Sequence, residues 1–142
     1  MGSLPAAALG HFVMKVVNLS ASYQFYADFG LRQIGKYPDV AIIELRGGTH
    51  ILLIPENVEA PFKLAPSRLG QRGAFFNEHI DLMISGKTKR ELEAYRKTLL
   101  KNGMAAGEIA PKAFFGHYYF QLTDPDGHGI TVYTSHVGDL PI

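Results

Sequence analysis

Apolar and polar residues change period several times along the first half of the chain, and each change marks an element. The run HFVMKVV from His11 is apolar and rich in β-branched residues, which predicts a strand. In NLSASYQFYADFGL the apolar positions Leu19, Tyr23 and Tyr26 recur at helical spacing, with Ser20 placed to cap the helix and Gly30 to end it. Three strand-like runs follow, LRQIGKY, VAIIELR and THILLIP, separated by the turn formers Pro38-Asp39 and Gly47-Gly48. The first half therefore reads βαβββ.

The same order returns after a stretch around Pro61 and Pro66 that has no period. NEHIDLMIS reads as a strand. TKRELEAYRKTLLKNG reads as a helix with Thr88 and Glu91 in a capping box, Leu92, Tyr95 and Leu99 on one face, and Gly103 at its end. MAAGEIA, GHYYFQLT and GITVYTSH complete the second unit, the last two joined by Asp124-Pro125-Asp126-Gly127. Two βαβββ modules, at about 11–55 and 77–136, thus start 68 residues apart, at His11 and His79. Residues 56–76 are the linker, residues 1–10 an N-terminal extension, and 11–142 one domain of the α+β class.

Composition narrows the function. A chain of 142 residues with 46% hydrophobic and 19% charged residues has the make-up of one globular domain. A net charge of +1 lacks the basic excess that a phosphate backbone demands, so nucleic acid is not an expected partner. No run approaches the ~20 apolar residues of a membrane span. The opening MGSLPAAALG has no basic residue ahead of its apolar run and makes a poor signal peptide. With no cysteine in the sequence, disulfides and thiolate metal sites are excluded, and the expectation is a cytoplasmic protein.

From about His11 to His136 the chain resembles the vicinal oxygen chelate superfamily, which includes glyoxalase I, extradiol dioxygenases, fosfomycin-resistance enzymes and bleomycin-binding proteins. The likeness is carried by HFVMKVVNLSASYQFYADFGL, HIDLMI and DPDGHGITVY. It implies two modules curled into a cupped mixed sheet, a small-molecule substrate or ligand, and a homodimer. It also implies a divalent metal, Fe, Mn, Zn or Ni, with His11 and His79 as ligands on the first strand of each module. The family's acidic ligand after the DPDG turn falls on Thr131, and the glyoxalase I acid of the first module falls on Leu52. Loss of both acids argues against glyoxalase I and leaves a weakly held metal, or none.

Strand alternation then sets the expected lining. If His11 and His79 point into the cup, so do Lys15, His50, Asp81, His117, Tyr119, Gln121, Thr131 and Tyr133. His50 or Asp81 is the candidate third ligand. A strand step of ~7 Å between Asp81 and His79 leaves a salt bridge to Lys15 or a rim position as the alternative for Asp81. His117, Tyr119, Asp81 and Tyr133 are the candidate catalytic groups, positioned to orient a substrate or move a proton. His128 sits on the turn, where exposure is expected, and Asp124 and Gly127 read as turn formers. His136 should face away from Tyr133. The functional expectation is a dioxygenase-like or lyase-like enzyme. The alternatives are a metal-free binding protein of the bleomycin-resistance type and a metal-free acid–base enzyme.

Overall fold

Strand β1, His11–Val16, buries Met14 and Val16 and turns His11, Val13 and Lys15 to the other side, the period-two pattern of a half-buried strand. The structure, a computed structural model, describes residues 3–7, 9–58 and 78–135. Most of the expected linker and all of His136 lie outside the described residues. Helix α1, Leu19–Asp28, follows β1 directly. Its cap is Asn18, whose Oδ1 accepts the Ala21 amide at 3.0 Å, rather than Ser20. The asparagine side chain reaches the orphan amide from one turn earlier, and Ser20 lies inside the helix.

β2 (Arg32–Lys36), β3 (Ala41–Glu44) and β4 (His50–Pro55) complete the first sheet, in the order β1-β4-β3-β2. β1 and β4 are parallel, and the other pairs antiparallel. The second module repeats this plan with β5 (His79–Met83), α2 (Lys89–Lys101), β6 (Tyr119–Thr123) and β7 (Gly129–Tyr133), ordered β5-β7-β6 with β5 and β7 parallel. The capping box of Thr88 and Glu91 forms as expected. MAAGEIA forms no regular strand. It runs beside β6 and gives it only two bonds, from the Gly107 and Ala110 amides to the Gln121 and Tyr119 carbonyls. Gly107 has no room for a side chain, since a Cβ there would lie 2.8 Å from the Gln121 carbonyl oxygen. The described residues form an α+β fold, two small mixed sheets with one α-helix each.

One core joins the modules. Met14, Val16, Ile43 and Leu53 of the first sheet share a cluster with Ile80, Phe120, Ile130 and Val132 of the second, closed by Tyr26 of α1, Phe29 at its C-cap, and Leu92 and Leu99 of α2. Burying a side chain of this size contributes about 1.5–3 kcal/mol, so the paired helices and sheet faces supply the bulk of the stability. Polar ties guide the same joint. The Tyr95 hydroxyl donates to the Phe29 carbonyl at 2.7 Å, and the Asn102 amide to that of Asp28 at 3.0 Å.

The DPDGH turn adds the strongest ties. His128 was expected to be exposed, yet it is completely buried. Its Nδ1 accepts the Glu78 amide at 2.8 Å, and its Nε2 donates to the Lys15 carbonyl at 2.7 Å, linking β1 to the entry of β5. Asp124 is more than a turn former: its Oδ1 accepts the amides of Asp126 and His128, and its Oδ2 accepts the Tyr26 hydroxyl at 2.9 Å. Asp126 reaches the first module too, through the Val17 amide and the Ser22 hydroxyl.

Burial, followed by the charge of Asp124, pushes the Tyr26 hydroxyl far above its ordinary pKa of 10.0, and burial alone does the same to Tyr95. Raised folded-state values mean that the native chain holds protons which the unfolded chain releases. Stability is then full below about pH 10 and falls as pH rises beyond it. Urea unfolding across that range should show the fall in wild type and a shallower one in Tyr26→Phe. The variant should also be less stable at neutral pH by about 1–2 kcal/mol, since the Asp124 carboxylate loses its donor. Equal slopes for both proteins would contradict this account.

Candidate functional site

Each strand of the second sheet sends one set of side chains into the core and the other to an open face. Ile80, Phe120, Leu122, Ile130 and Val132 go inward. His79 and Asp81 of β5, Thr131 and Tyr133 of β7, and Tyr119 and Gln121 of β6 share the opposite face, with the cross-strand register Asp81↔Thr131↔Gln121 and Met83↔Tyr133↔Tyr119.

Three of these groups converge on one point. The Nε2 atom of His79 lies 2.8 Å from Oδ1 of Asp81 and 3.0 Å from Oγ1 of Thr131, and the Gln121 amide donates to that hydroxyl at 3.2 Å. An ionised carboxylate only accepts, so the imidazole donates to Asp81 from Nε2. The Cα separation of one strand step does not keep Asp81 from His79, because the two side chains lean toward each other. The alternative salt bridge of Asp81 with Lys15 does not form, since the Lys15 ammonium donates to the Val58 carbonyl. Thr131 is 1% exposed although it lies on the open face, whereas the side chains of His79 and Asp81 are 52% and 58% exposed.

Gly129 explains how His79 reaches this point. It is the cross-strand neighbour of His79, and a Cβ built on it would stand 2.7 Å from Nδ1 of the imidazole. The ring therefore lies over a bare backbone. In the first sheet the equivalent pair is His11↔His50, and the rings stand edge-on with centroids 5.8 Å apart. His50 also approaches Glu44, with 3.5 Å between Nε2 and Oε2. Glu44 is a carboxylate that alternation along β3 could have placed on this face, since its neighbours Ala41 and Ile43 are core residues. Leu52, one step from His50, offers no ligand atom. Among the described residues no hydrogen bond or ring contact joins His11 to His79.

Aromatic groups continue the second sheet's open face toward the end of β7. Tyr119 and Tyr133 pack with centroids 5.5 Å apart, and His117 meets Tyr133 edge-on at 5.9 Å while its Nδ1 donates to the Thr134 carbonyl at 2.7 Å. Burial, then the Asp81 carboxylate and Tyr119, raise the Tyr133 hydroxyl above its ordinary pKa, and a hydrogen bond with Thr131 opposes them in part. At neutral pH Tyr133 is a proton donor.

Asp124, Asp126 and His128 offer a second set of ligand atoms, all within 4.8 Å of one another, close enough for one cation. Both His128 nitrogens and all four carboxylate oxygens are nevertheless engaged in the ties described above. A cation there would have to break a joint of the fold. An open groove of about 430 Å³ lies beside α1 and the end of α2, but both its carboxylates are engaged, Asp28 by the Gln24 amide at 2.9 Å and Asp124 by the Tyr26 hydroxyl at 2.9 Å. The convergent chemistry is on the second sheet.

The family model described as Glyoxalase/Bleomycin resistance protein/Dioxygenase superfamily matches residues 8–132. No curated protein matches the chain. Among solved structures, a lactoylglutathione lyase from Agrobacterium tumefaciens superposes with a TM-score of 0.71 at 19% identity, covering 93% of this chain and 96% of that one. The oxidase ChaP-H2 gives 0.66 at 19% identity, covering 95% and 98%. An integron cassette protein from V. cholerae gives 0.67 at 22% identity, covering 94% and 98%. These likenesses establish the fold and leave the chemistry to the residues. Among the described residues no helix is long and apolar enough to cross a membrane.

If Gly129 seats His79, Gly129→Ala should push the ring off Thr131 and leave His11 undisturbed. Imidazole resonances in a nitrogen-correlated NMR spectrum test this directly: those of His79 should shift and those of His11 should stay. An unmoved His79 would show that the glycine has no such role.

Proposed function

The chain belongs to the glyoxalase/bleomycin resistance protein/dioxygenase superfamily, and we propose that it works there as a small-molecule enzyme, dioxygenase-like or lyase-like, with its reacting centre at the His79 end of the second sheet. The observation that carries this reading is the convergence of His79 Nε2, Asp81 Oδ1 and Thr131 Oγ1. Asp81 supplies beside His79 the anionic group that Thr131 does not. The separations of 2.8 and 3.0 Å also suit adjacent donors on a first-row divalent ion, because bonds of about 2.1 Å at right angles put two donor atoms about 3 Å apart. His79, Asp81 and Thr131 would hold such an ion, Fe, Mn, Zn or Ni, by replacing the shared proton.

When bound, the ion would supply Lewis-acid polarisation of neighbouring substrate oxygens. The chain's own groups do the rest. Gln121 holds the Thr131 hydroxyl in place through its amide, and the Tyr133 hydroxyl, on the same sheet face, donates to a developing oxyanion. His117 and Tyr119 fix the orientation of Tyr133 through ring contacts. The exposure of His79 and Asp81, whose side chains are 52% and 58% exposed, favours a homodimer in which a second copy adds the wall that excludes water. A chain free of cysteine also suits the reducing cytoplasm.

A metal-free acid–base enzyme is the second reading, favoured by the same 2.8 Å bond, since an imidazole held by a carboxylate is already a proton-transfer pair. Isothermal titration with Mn(II), Zn(II) and Ni(II) separates the two. Under the metal reading, His79→Ala and Asp81→Ala each weaken binding by more than the about 10–100-fold that loss of an outer-shell partner costs, and Thr131→Glu tightens it. Binding that survives both alanine substitutions contradicts the metal site, and wild-type protein that binds none of the three ions leaves the acid–base reading.

A further inference from the structure

Asn102-Gly103 is the one Asn-Gly pair in the sequence, and it lies where the C-terminal ends of both helices meet. Asn102 is the C-cap of α2, with ψ of 6°, and Gly103 follows with φ of 81°, a left-handed value that glycine takes without strain. The Asn102 side chain leaves its own module: its amide donates to the carbonyl of Asp28, the last residue of α1, at 3.0 Å. Two turns earlier in α2, the Tyr95 hydroxyl donates to the Phe29 carbonyl at 2.7 Å. Together these bonds hold the end of α1 against α2.

An asparagine followed by glycine is chemically labile. The glycine nitrogen, unhindered by a side chain, attacks Cγ of the asparagine and loses its proton; the Cγ–Nδ2 bond breaks, and ammonia leaves behind a cyclic succinimide. Water then opens the ring, at the side-chain carbonyl to give aspartate or at the main-chain carbonyl to give isoaspartate. One water is consumed and one ammonia released, with no change of oxidation state. In the folded chain Nδ2 is held by Asp28, the Gly103 nitrogen donates to the Leu100 carbonyl at 3.0 Å, and the Met104 amide closes the turn on Leu99 at 3.0 Å. Cγ meets the Gly103 nitrogen only after these bonds open. Asn102 and Gly103 are both exposed and stand at a helix end, where local opening costs least.

The product does not fit the site. A carboxylate accepts and cannot donate, so the bond to Asp28 is lost and two acceptors face each other. The unpaired carbonyls at the ends of α1 and α2 carry partial negative charge, to which the new charge adds. Lys101 is the cation in the last turn of α2, and the last turn of α1 has none. The open groove beside these helix ends is lined by Asn102 together with Asp28 and Asp124, so the product is its third carboxylate. We propose that Asn102 is a modification site gated by the joint between the modules: it deamidates when the helix ends part, and the carboxylate formed weakens the joint that had protected it.

Peptide mapping that separates asparaginyl, aspartyl and isoaspartyl forms at position 102 follows the reaction in the full-length protein. During prolonged incubation in mildly alkaline buffer, the folded chain should deamidate at Asn102 at least about tenfold more slowly than the same chain held unfolded in urea. Amide hydrogen exchange at Gly103 reads the same opening in wild type, and its protection should match that slowing. Tyr95→Phe removes the neighbouring tie and should speed the folded-state reaction several-fold while leaving the unfolded rate unchanged; should that variant not fold, exchange at Gly103 decides the gate. Asn102→Ala loses the hydrogen bond alone, whereas Asn102→Asp also adds the charge, so the urea midpoint should fall in both and further in Asn102→Asp. Equal rates in the folded and unfolded chain, a Gly103 protection that does not match the slowing, an unchanged rate in folded Tyr95→Phe, or an Asn102→Asp midpoint at or above that of Asn102→Ala would each overturn the proposal.

Discussion

The buried ends of one turn, Asp124 and His128, fix how the two halves of this molecule meet. His128 has both ring nitrogens committed, one to the Glu78 amide and one to the Lys15 carbonyl, and Asp124 carries the Tyr26 hydroxyl together with two amides of its own turn. These bonds settle where β7 begins relative to β5 and β1. A buried polar group left without its partner costs about 1–3 kcal/mol, so a slip of one residue would orphan several at once. The slip would also send every side chain of β7 to the other face. The positions of Thr131 and Tyr133 on the open face therefore follow from bonds made on the far side of the sheet.

With register held, the two modules diverge through small changes at equivalent positions. Where the first sheet has His50 beside His11, the second has Gly129 beside His79; where the first has Leu52, the second has Thr131. The missing side chain at Gly129 lets the His79 ring settle over the strand and meet both Asp81 and Thr131. His11 keeps its ring exposed and touches His50 edge-on. One fold repeated twice thus carries a convergent polar cluster on one sheet and a looser histidine–carboxylate group on the other.

Much of this was legible in the sequence, and the remainder was hidden for physical reasons. The 68-residue repeat, the Thr88–Glu91 box, the sorting of strand faces and every expected element except the MAAGEIA strand follow from local pattern, because alternation and capping are short-range effects. The helix cap at Asn18 in place of Ser20 is an error of two residues, within the ambiguity of neighbouring cap formers. The burial of His128 could not be read from its turn, since burial there depends on β1 of the other module. Strand spacing sets the Cα of Asp81 about 7 Å from that of His79, whereas the contact of their side chains depends on rotamers and on the space above Gly129. The strain at Phe115, whose φ is 48° in the tight turn between Phe114 and His117, gave no signal in composition, because such a turn is normally announced by Asn or Gly at that place.

Anomalous diffraction from a crystal of the wild-type protein soaked in Mn(II) would show whether a metal sits where His79, Asp81 and Thr131 converge. An anomalous peak is expected within about 2.0–2.2 Å of His79 Nε2 and Asp81 Oδ1, adjacent to Thr131 Oγ1. A peak in the Asp124–Asp126–His128 turn or between His50 and Glu44, with the His79–Asp81 hydrogen bond unbroken, would contradict it.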